Sequence, residues 1–540
     1  MKTALLQSFA RRSWGPLTAA AGLSLLAGGA VQGEPRSRIT PYLEVQQVLT
    51  ADFTGGDVLT YTGLGAGVDA SIATRRVQAT IGYNYQRRIA WEGDLKDHDV
   101  HNGLAAVHVE AVPGVLSLDA GAMAARTHAD IRLPVPTART IDDANIAEVY
   151  SAYAGPTLST RAGPVTVGAS YRLGYVHVDD QSLAGLPAGA PRSDRYSSST
   201  VHNASASVGM APGRLPFGWT VGGGYVREDQ NRLDAEFEGR YVRADVVVPV
   251  SPTLAVTAGV GYEDMEASQQ DFLRDAGGRP VLSPGGNLVA DPSRPRLQTY
   301  EESGTMWDAG IIWRPSPRTE LQARGGHRYG GTTFVGSLEH RLNRRSALSA
   351  SIYDSVSSFG RLVISDLSGV PTKFDIPRGG FGNGNCVFGT DPGTGTCFND
   401  ALQSIAGFNF RNRGANVLYS TTRGPWNLGV GGGYANRRYL AKRDADFPLA
   451  GTMDQSFNLN ANLGRRLTRT SGYDLNTYAA WYDSGLSEES SFGAGVGGRY
   501  YRNIYDERLQ AQISAGLYTT QAGEFDATYG SILFGLRFSF

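Results

Sequence analysis

The sequence predicts an all-β chain: a single antiparallel up-and-down barrel that spans a membrane with about 22 strands (20–24). Three observations carry this. Apolar and polar residues alternate with a period of two in segment after segment. The connections alternate between tight turns and long loops. The chain is rich in glycine (69) and tyrosine (26), yet its mean hydropathy is only −0.25. A barrel reconciles that polarity with a membrane, because only every second strand residue meets lipid.

In chain order, residues 1–33 read as a secretory signal. Lys2, Arg11 and Arg12 form a basic start, and Leu17 to Ala30 an Ala/Leu-rich apolar stretch, with small residues allowing cleavage after Ala30 or Gly33. Beyond residue 33 no apolar run reaches the roughly 18 residues of a membrane helix. Residues 34–540 then form one barrel, since no linker, composition break or charge run divides them. Only a few residues separate the cleavage site from the first strand, Ile39–Leu49, so an N-terminal plug has no room and the long loops are the candidates for filling the lumen.

The walls follow. Val77, Ala79, Ile81, Tyr83 and Tyr85 alternate with Gln78, Thr80, Gly82, Asn84 and Gln86. Phe457, Leu459, Ala461 and Leu463 alternate with Asn458, Asn460 and Asn462, a pattern foreign to soluble helices. Tight turns are expected at 73–75, 112–114, 161–163, 251–253, 314–318, 343–345, 422–425 and 468–471, and long loops near 127–145, 179–200, 266–304 and 357–409. An even strand count puts both ends in the periplasm and the long loops outside the cell.

The last strand has apolar residues at Ile532, Phe534, Leu536, Phe538 and Phe540, with Leu533 out of step. A carboxyl-terminal Phe in that register resembles the terminal assembly signal of outer-membrane barrels of Gram-negative bacteria. The resemblance implies that Phe534, Leu536, Phe538 and Phe540 are read by the barrel-assembly machinery, and that this strand closes against the first. Lipid and lipopolysaccharide are then the surroundings. The net charge of −1 argues against nucleic acid as a partner.

Candidate functional residues fall in three groups. Cys386 and Cys397 share one Gly/Asn/Thr-rich loop of an exported chain, which favours a disulfide; with no histidine nearby, two thiols make a poor metal site. Parity places charged side chains on the lumen face, foremost Arg172, Arg243, Glu263, Asp308, Glu320, Arg324, Arg328, Arg499 and Arg537, joined by Arg314, Arg341, Glu110, Asp119, Asp245, Glu339 and Asp474. These signs balance, so two readings stand: salt bridges bracing a wide wall, or charges that set pore selectivity. Aromatic residues near strand ends, among them Trp219, Trp307, Trp313, Trp426, Trp481, Tyr500 and Tyr501, suit interfacial girdles, with a sugar-stacking track as the alternative.

No catalytic constellation emerges, and neither a cofactor nor a metal is expected. His98-Asp99-Val100-His101 is the most suggestive run, and Asp142-Asp143 and Asp179-Asp180 are paired acids in loops, where simple solvation is the plain account. Gly222-Gly-Gly224 and Gly431-Gly-Gly433 lie within strands, where they suit curvature or close packing of an inward-folded loop.

Several stretches resemble a family of proteobacterial outer-membrane barrels, common in sphingomonads, whose genes tend to lie near exopolysaccharide and PEP-CTERM sorting systems. They are Ile39-Thr-Pro-Tyr-Leu-Glu-Val, Trp313-Arg-Pro-Ser-Pro-Arg-Thr-Glu-Leu-Gln-Ala-Arg, His327-Arg-Tyr-Gly-Gly331, Tyr353-Asp-Ser-Val and the paired-cysteine loop. The resemblance implies an association with polysaccharide secretion, with a separate periplasmic partner supplying any helical repeat domain. The leading expectation is a porin-like conduit for exopolysaccharide or small solutes. Against it stands a structural or surface-binding barrel with an occluded lumen, and, more remotely, an outer-membrane enzyme.

Overall fold

The computed structural model describes residues 36–92, 97–128, 146–180, 196–283, 287–375, 386–398, 400–403, 405–440, 451–485, 490–505, 508–523 and 525–540. The signal segment, Asp142-Asp143 and most of the loops at 127–145 and 179–200 lie outside these residues.

Twenty-two strands form one closed antiparallel sheet. The first half of the wall is β1 (Arg36–Asp52), β2 (Val58–Ala73), β3 (Val77–Glu92), β4 (His98–Val112), β5 (Leu116–His128), β6 (Ile146–Ala162), β7 (Val165–Asp180), β8 (Ser198–Met210), β9 (Gly218–Gln230), β10 (Ala235–Pro249) and β11 (Leu254–Gln269). It continues through β12 (Leu297–Ser316), β13 (Thr319–Arg328), β14 (Gly331–Asn343) and β15 (Ser346–Ser357). A long excursion follows, holding helix α1 (Phe359–Ser368) and the small hairpin of β16 (Cys386–Phe388) and β17 (Gly395–Cys397). The wall resumes with β18 (Phe410–Arg423), β19 (Trp426–Tyr439), β20 (Met453–Arg466), β21 (Ser471–Ser484), β22 (Ser491–Tyr505), β23 (Leu509–Ala522) and β24 (Phe525–Ser539).

Closure is made by β24 against β1, in a ladder running from Tyr42↔Ser539 to Asp52↔Tyr529. Leu43, Val45 and Leu49 stand opposite Phe538, Leu536 and Ile532, and all six are exposed on the outer surface. Around the barrel Leu64, Val242, Val260, Phe334, Leu459 and Val496 project the same way, an apolar belt that water would not tolerate and lipid would. The chain is an outer-membrane β-barrel.

The tight turns sit on the side where β1 begins and β24 ends, as at Gly424, whose φ of +60° favours glycine. A further turn on that side, at 211–217, holds the Pro212-Gly213 pair that tight turns favour. The opposite rim is less uniform than expected. β13 and β14 are joined there by only Tyr329-Gly330, both at positive φ (55° and 66°), a geometry of tight two-residue hairpins. The loop expected at 266–304 is shorter, because β11 and β12 extend past the belt as a ribbon that pairs Glu266 with Glu301 and Ala267 with Tyr300. Polar residues on both faces of that ribbon hid its period of two.

The lumen departs most from expectation. A polar interior was predicted all round, yet Leu104, Ala106, Met123, Ala125, Ala147, Val149, Val176, Val178 and Val201 point inward from β4–β8 and are at most 4% exposed. They form one apolar core with the loop at 358–409. The lumen beside β4–β8 is occupied by the barrel's own chain.

Candidate functional site

Ser358 starts α1 from an extended conformation, and its Oγ accepts the Arg361 backbone N–H at 3.2 Å. Phe359, Leu362, Val363, Ile364 and Leu367 follow at helical spacing and are all buried. Each fully buried side chain of this kind contributes about 1.5–3 kcal/mol. The helix ends at Gly369, two residues before Pro371, which cannot continue it. None of this helix was expected, although the cap and the apolar spacing are visible in the sequence.

The helix lies against β5–β8. A Cβ on Gly174 of β7 would be 2.7 Å from Ile364, so that glycine makes room for the helix. From α1 the chain descends toward the periplasmic end, where Thr80 on β3 donates to the Thr372 carbonyl at 2.8 Å. The β16–β17 hairpin crosses to the opposite wall. Phe388 covers Gly429 on β19, and Gly393 N–H donates to Ser420 Oγ on β18 at 2.8 Å. Cys386 and Cys397 are joined as a disulfide across this hairpin and lie on Gly431. Thr127 on β5 donates to the Leu402 carbonyl as the chain climbs back to β18. The described residues of 358–409 thus lie both high and low in the lumen, bridging β3–β9 to β15–β20.

Of the two glycine runs, Gly431 makes room for this loop, and Gly222–Gly224 do not. A Cβ on Gly224 would instead meet the Tyr241 ring of the neighbouring strand.

Buried polar groups tie the loop's interior together. The Asp366 and Asp400 carboxyls lie within electrostatic reach of each other, and Tyr353 of β15 is buried beside them. Asn412 donates to Asp400 at 3.3 Å, and Arg437 is fully buried with its guanidinium 4.6 Å from the Phe410 ring centroid. Burial, then Asp400, holds the Asp366 carboxyl well above the usual carboxylate range.

The lumen-facing charges meet in pairs. Arg243, Arg324, Asp245 and Asp308 form one cluster on β10, β12 and β13, with Arg324 2.7 Å from Asp245 and 3.1 Å from Asp308. Arg328 binds Glu263 at 2.8 Å, and the same carboxylate accepts the Tyr329 N–H at 2.8 Å. Arg314 pairs with Glu320 at 2.9 Å, Arg499 with Asp474, and Arg537 with Asp69. Arg172 reaches the plug at Ser368, 3.3 Å away. Asp69 was not among the sequence candidates, and it lies across β1 from Arg537. His98 and His101 fall on opposite faces: His98 is 3.5 Å from inward-facing Arg88, while His101 is 2.7 Å from outward-facing Tyr83. Asp179 points outward at the rim, and the suggestive His run holds no common site.

Around β21–β24 and β1 the interior has another character. Asn476 is exposed on the inner face, Asp474 keeps 35% of its side chain accessible, and Gln46, Tyr501, Gln512 and Tyr518 are only half-buried. Tyr501 is the one member of the expected girdle that turns inward; its ring lies against Gly472, as Tyr518 lies against Gly495 and Gly516.

No family model matches this chain, and no curated protein matches it. Among solved structures it is similar to the FrpB iron transporter of Neisseria meningitidis, at 10% identity over 92% of this chain and 82% of that one, TM-score 0.43. It is also similar to the ferric-catecholate import receptor Fiu of E. coli in its closed form (10% identity, 94% and 82% coverage, TM-score 0.45). A third is BauA, the ferric preacinetobactin receptor of Acinetobacter baumannii (12%, 93% and 81%, TM-score 0.43).

Proposed function

We propose that this protein is a gated conduit across the outer membrane, with residues 358–409 as the gate and the hydrophilic wall of β21–β24 and β1 as the path. The observation that carries the reading is the asymmetry of the lumen. The β4–β8 face is sealed by an apolar core, whereas Asn476 and Asp474 across the barrel remain open to water. A barrel serving only as a scaffold has no use for a wetted wall beside a packed one.

The cargo we favour is polyhydroxylated and uncharged overall: an exopolysaccharide or a smaller sugar-like solute. Amides at Gln46, Asn476 and Gln512 exchange hydrogen bonds with hydroxyl groups. The ring of Tyr518, lying against wall glycines, offers a flat face to a pyranose, and the Tyr501 hydroxyl adds a hydrogen-bonding group. The paired charges leave little net attraction for ions. The family resemblance points the same way, with the assembly machinery and a periplasmic secretion component as the expected partners.

An occluded surface-binding barrel is the second reading, favoured by the plug's interior-like packing. Single-channel recording separates the two. Ser357 and Phe410 are neighbours in the β15–β18 ladder, so an Asn-Gly turn can replace residues 358–409 without altering the wall. Steady conductance from that deletion, against rare openings in the intact protein, is expected of the conduit. Silence in both would leave the occluded barrel standing. Loss of exported polymer in a strain lacking the gene, restored by the intact gene, tests the cargo.

A further inference from the structure

Both ends of the plug meet at one ion pair with the wall. Glu228, near the extracellular end of β9, is fully buried, and its Oε2 accepts from Ser358 Oγ and from Arg361 Nε, the latter at 3.1 Å. The same guanidinium donates through Nη2 to Asn409 Oδ1 at 2.6 Å and lies 3.5 Å from the Phe237 ring centroid on β10. Ser358 and Arg361 open the plug, Asn409 is its last residue, and β9 belongs to a different part of the wall from the β15–β18 pair that carries the loop. The seat is tight: a Cβ on Gly360 would fall 2.5 Å from Ser199 Oγ and 2.7 Å from Glu228 Oε1. That Oε1 is itself buried with no hydrogen-bond partner.

A buried ion pair of this kind is stable only while whole. Removing one partner leaves the other charged in a low-dielectric interior, whereas removing both is close to neutral. A stranded Arg361 regains water only if α1 leaves the wall, and its bond to Asn409 then takes the far end of the loop with it. The β16–β17 hairpin, held separately on β18 and β19, has no part in this contact.

We infer that the Glu228–Arg361 pair is the release point of the plug, a clasp whose opening frees α1 and the returning end at Asn409 together while the disulfide hairpin stays seated. This rests on the gated-conduit reading for its consequence in transport, but the motion itself can be measured without it. In the full-length protein in detergent, Glu228→Gln is expected to speed hydrogen exchange in residues 359–371 by about tenfold or more, with β19 and the hairpin unchanged. In planar bilayers the same variant should open about tenfold more often than the intact protein. The double variant Glu228→Gln/Arg361→Met, with no stranded charge, should return both readings to within about threefold of the intact protein.

Faster exchange with a silent bilayer would uphold the clasp and overturn the conduit. Unchanged exchange and conductance in Glu228→Gln, with the plug deletion conducting, would overturn the clasp and leave the conduit. Should Glu228→Gln not assemble, Asn409→Ala keeps the ion pair and cuts only its tie to the loop's end. It should speed exchange at 405–409 by about threefold, and no change there would reject the clasp.

Discussion

Gly431 lies directly beneath the Cys386 sulfur: a methyl group on its Cα would be 2.7 Å from Sγ and 3.1 Å from that of Cys397. The disulfide hairpin is therefore seated on a bare patch of β19, and any side chain at Gly431 competes for the same space. Gly431→Val suits the strand itself but is expected to lift the hairpin, costing the plug about 1–3 kcal/mol through overpacking. Hydrogen exchange at 386–398 reads the effect. Protection there equal to the intact protein would show that the seat is looser than the distances say.

The disulfide closes a short loop and acts on the plug rather than on the wall. Cys386→Ser/Cys397→Ser should lower the stability of the hairpin by about 2–4 kcal/mol, because the unfolded loop regains freedom. The barrel's strands, held by ladders all round, should melt where they did before. Differential scanning with and without reductant checks this, and a fall in the main barrel transition would contradict it.

These two residues also mark how far the sequence alone reaches. Alternation along β3, β20, β23 and β24 displays the wall openly, because lipid on one face and water on the other impose a period of two that no loop contact disturbs. Lumen parity was readable for the same reason: Arg243, Asp308 and Arg324 had to face inward. What parity does not encode is the partner. Asp69 meets Arg537 only because β24 closes on β1 and β2 lies beyond, a relation between residues at opposite ends of the chain. The apolar interior of β4–β8 was hidden for a different reason. Alanine and valine on both faces of a strand blur the alternation, and nothing local says whether the second apolar face meets lipid or a plug. Helix α1, by contrast, is written locally, in Ser358 and the spacing of Phe359, Leu362, Val363 and Leu367.

The Arg243–Asp245–Asp308–Arg324 cluster holds two charges of each sign on three strands. Arg324→Met leaves two carboxylates facing one guanidinium. Each side chain of the cluster keeps only a small exposed fraction, so the loss should cost about 3–5 kcal/mol or be relieved by proton uptake. Reduced thermal stability that recovers at acidic pH is the expected result. A melting temperature independent of pH would show that the cluster is solvated and contributes little.

Barrel closure gives a separate expectation. Phe540 N–H donates to the Pro41 carbonyl at 3.0 Å, and its ring packs edge-on to Phe538 with centroids 5.2 Å apart. Removing Phe540 deletes one rung of the closing ladder and leaves the others from Tyr42↔Ser539 onward. The assembled protein should keep its fold, so any large drop in outer-membrane yield points to recognition of the terminus rather than to stability. Yield and heat-modifiability measured on the same samples separate the two.

The last expectation concerns pH. Asp366 is a buried carboxyl within the plug with the Asp400 carboxyl as its like-charged neighbour, an arrangement that favours the protonated form. Burial and Asp400 raise the folded Asp366 above its unfolded value near about 3.9. With the folded value raised, the protonated pair stabilises the plug fully below that unfolded value. The contribution is then lost as pH climbs through the folded one. Plug protection should therefore decline from mildly acidic toward alkaline pH while the wall, held by backbone ladders, does not change. Asp366→Asn is neutral at every pH, and should flatten that decline. Limited proteolysis of residues 359–375 across the pH range decides the matter: a slope equally steep in the variant would place the pH sensitivity elsewhere than this pair.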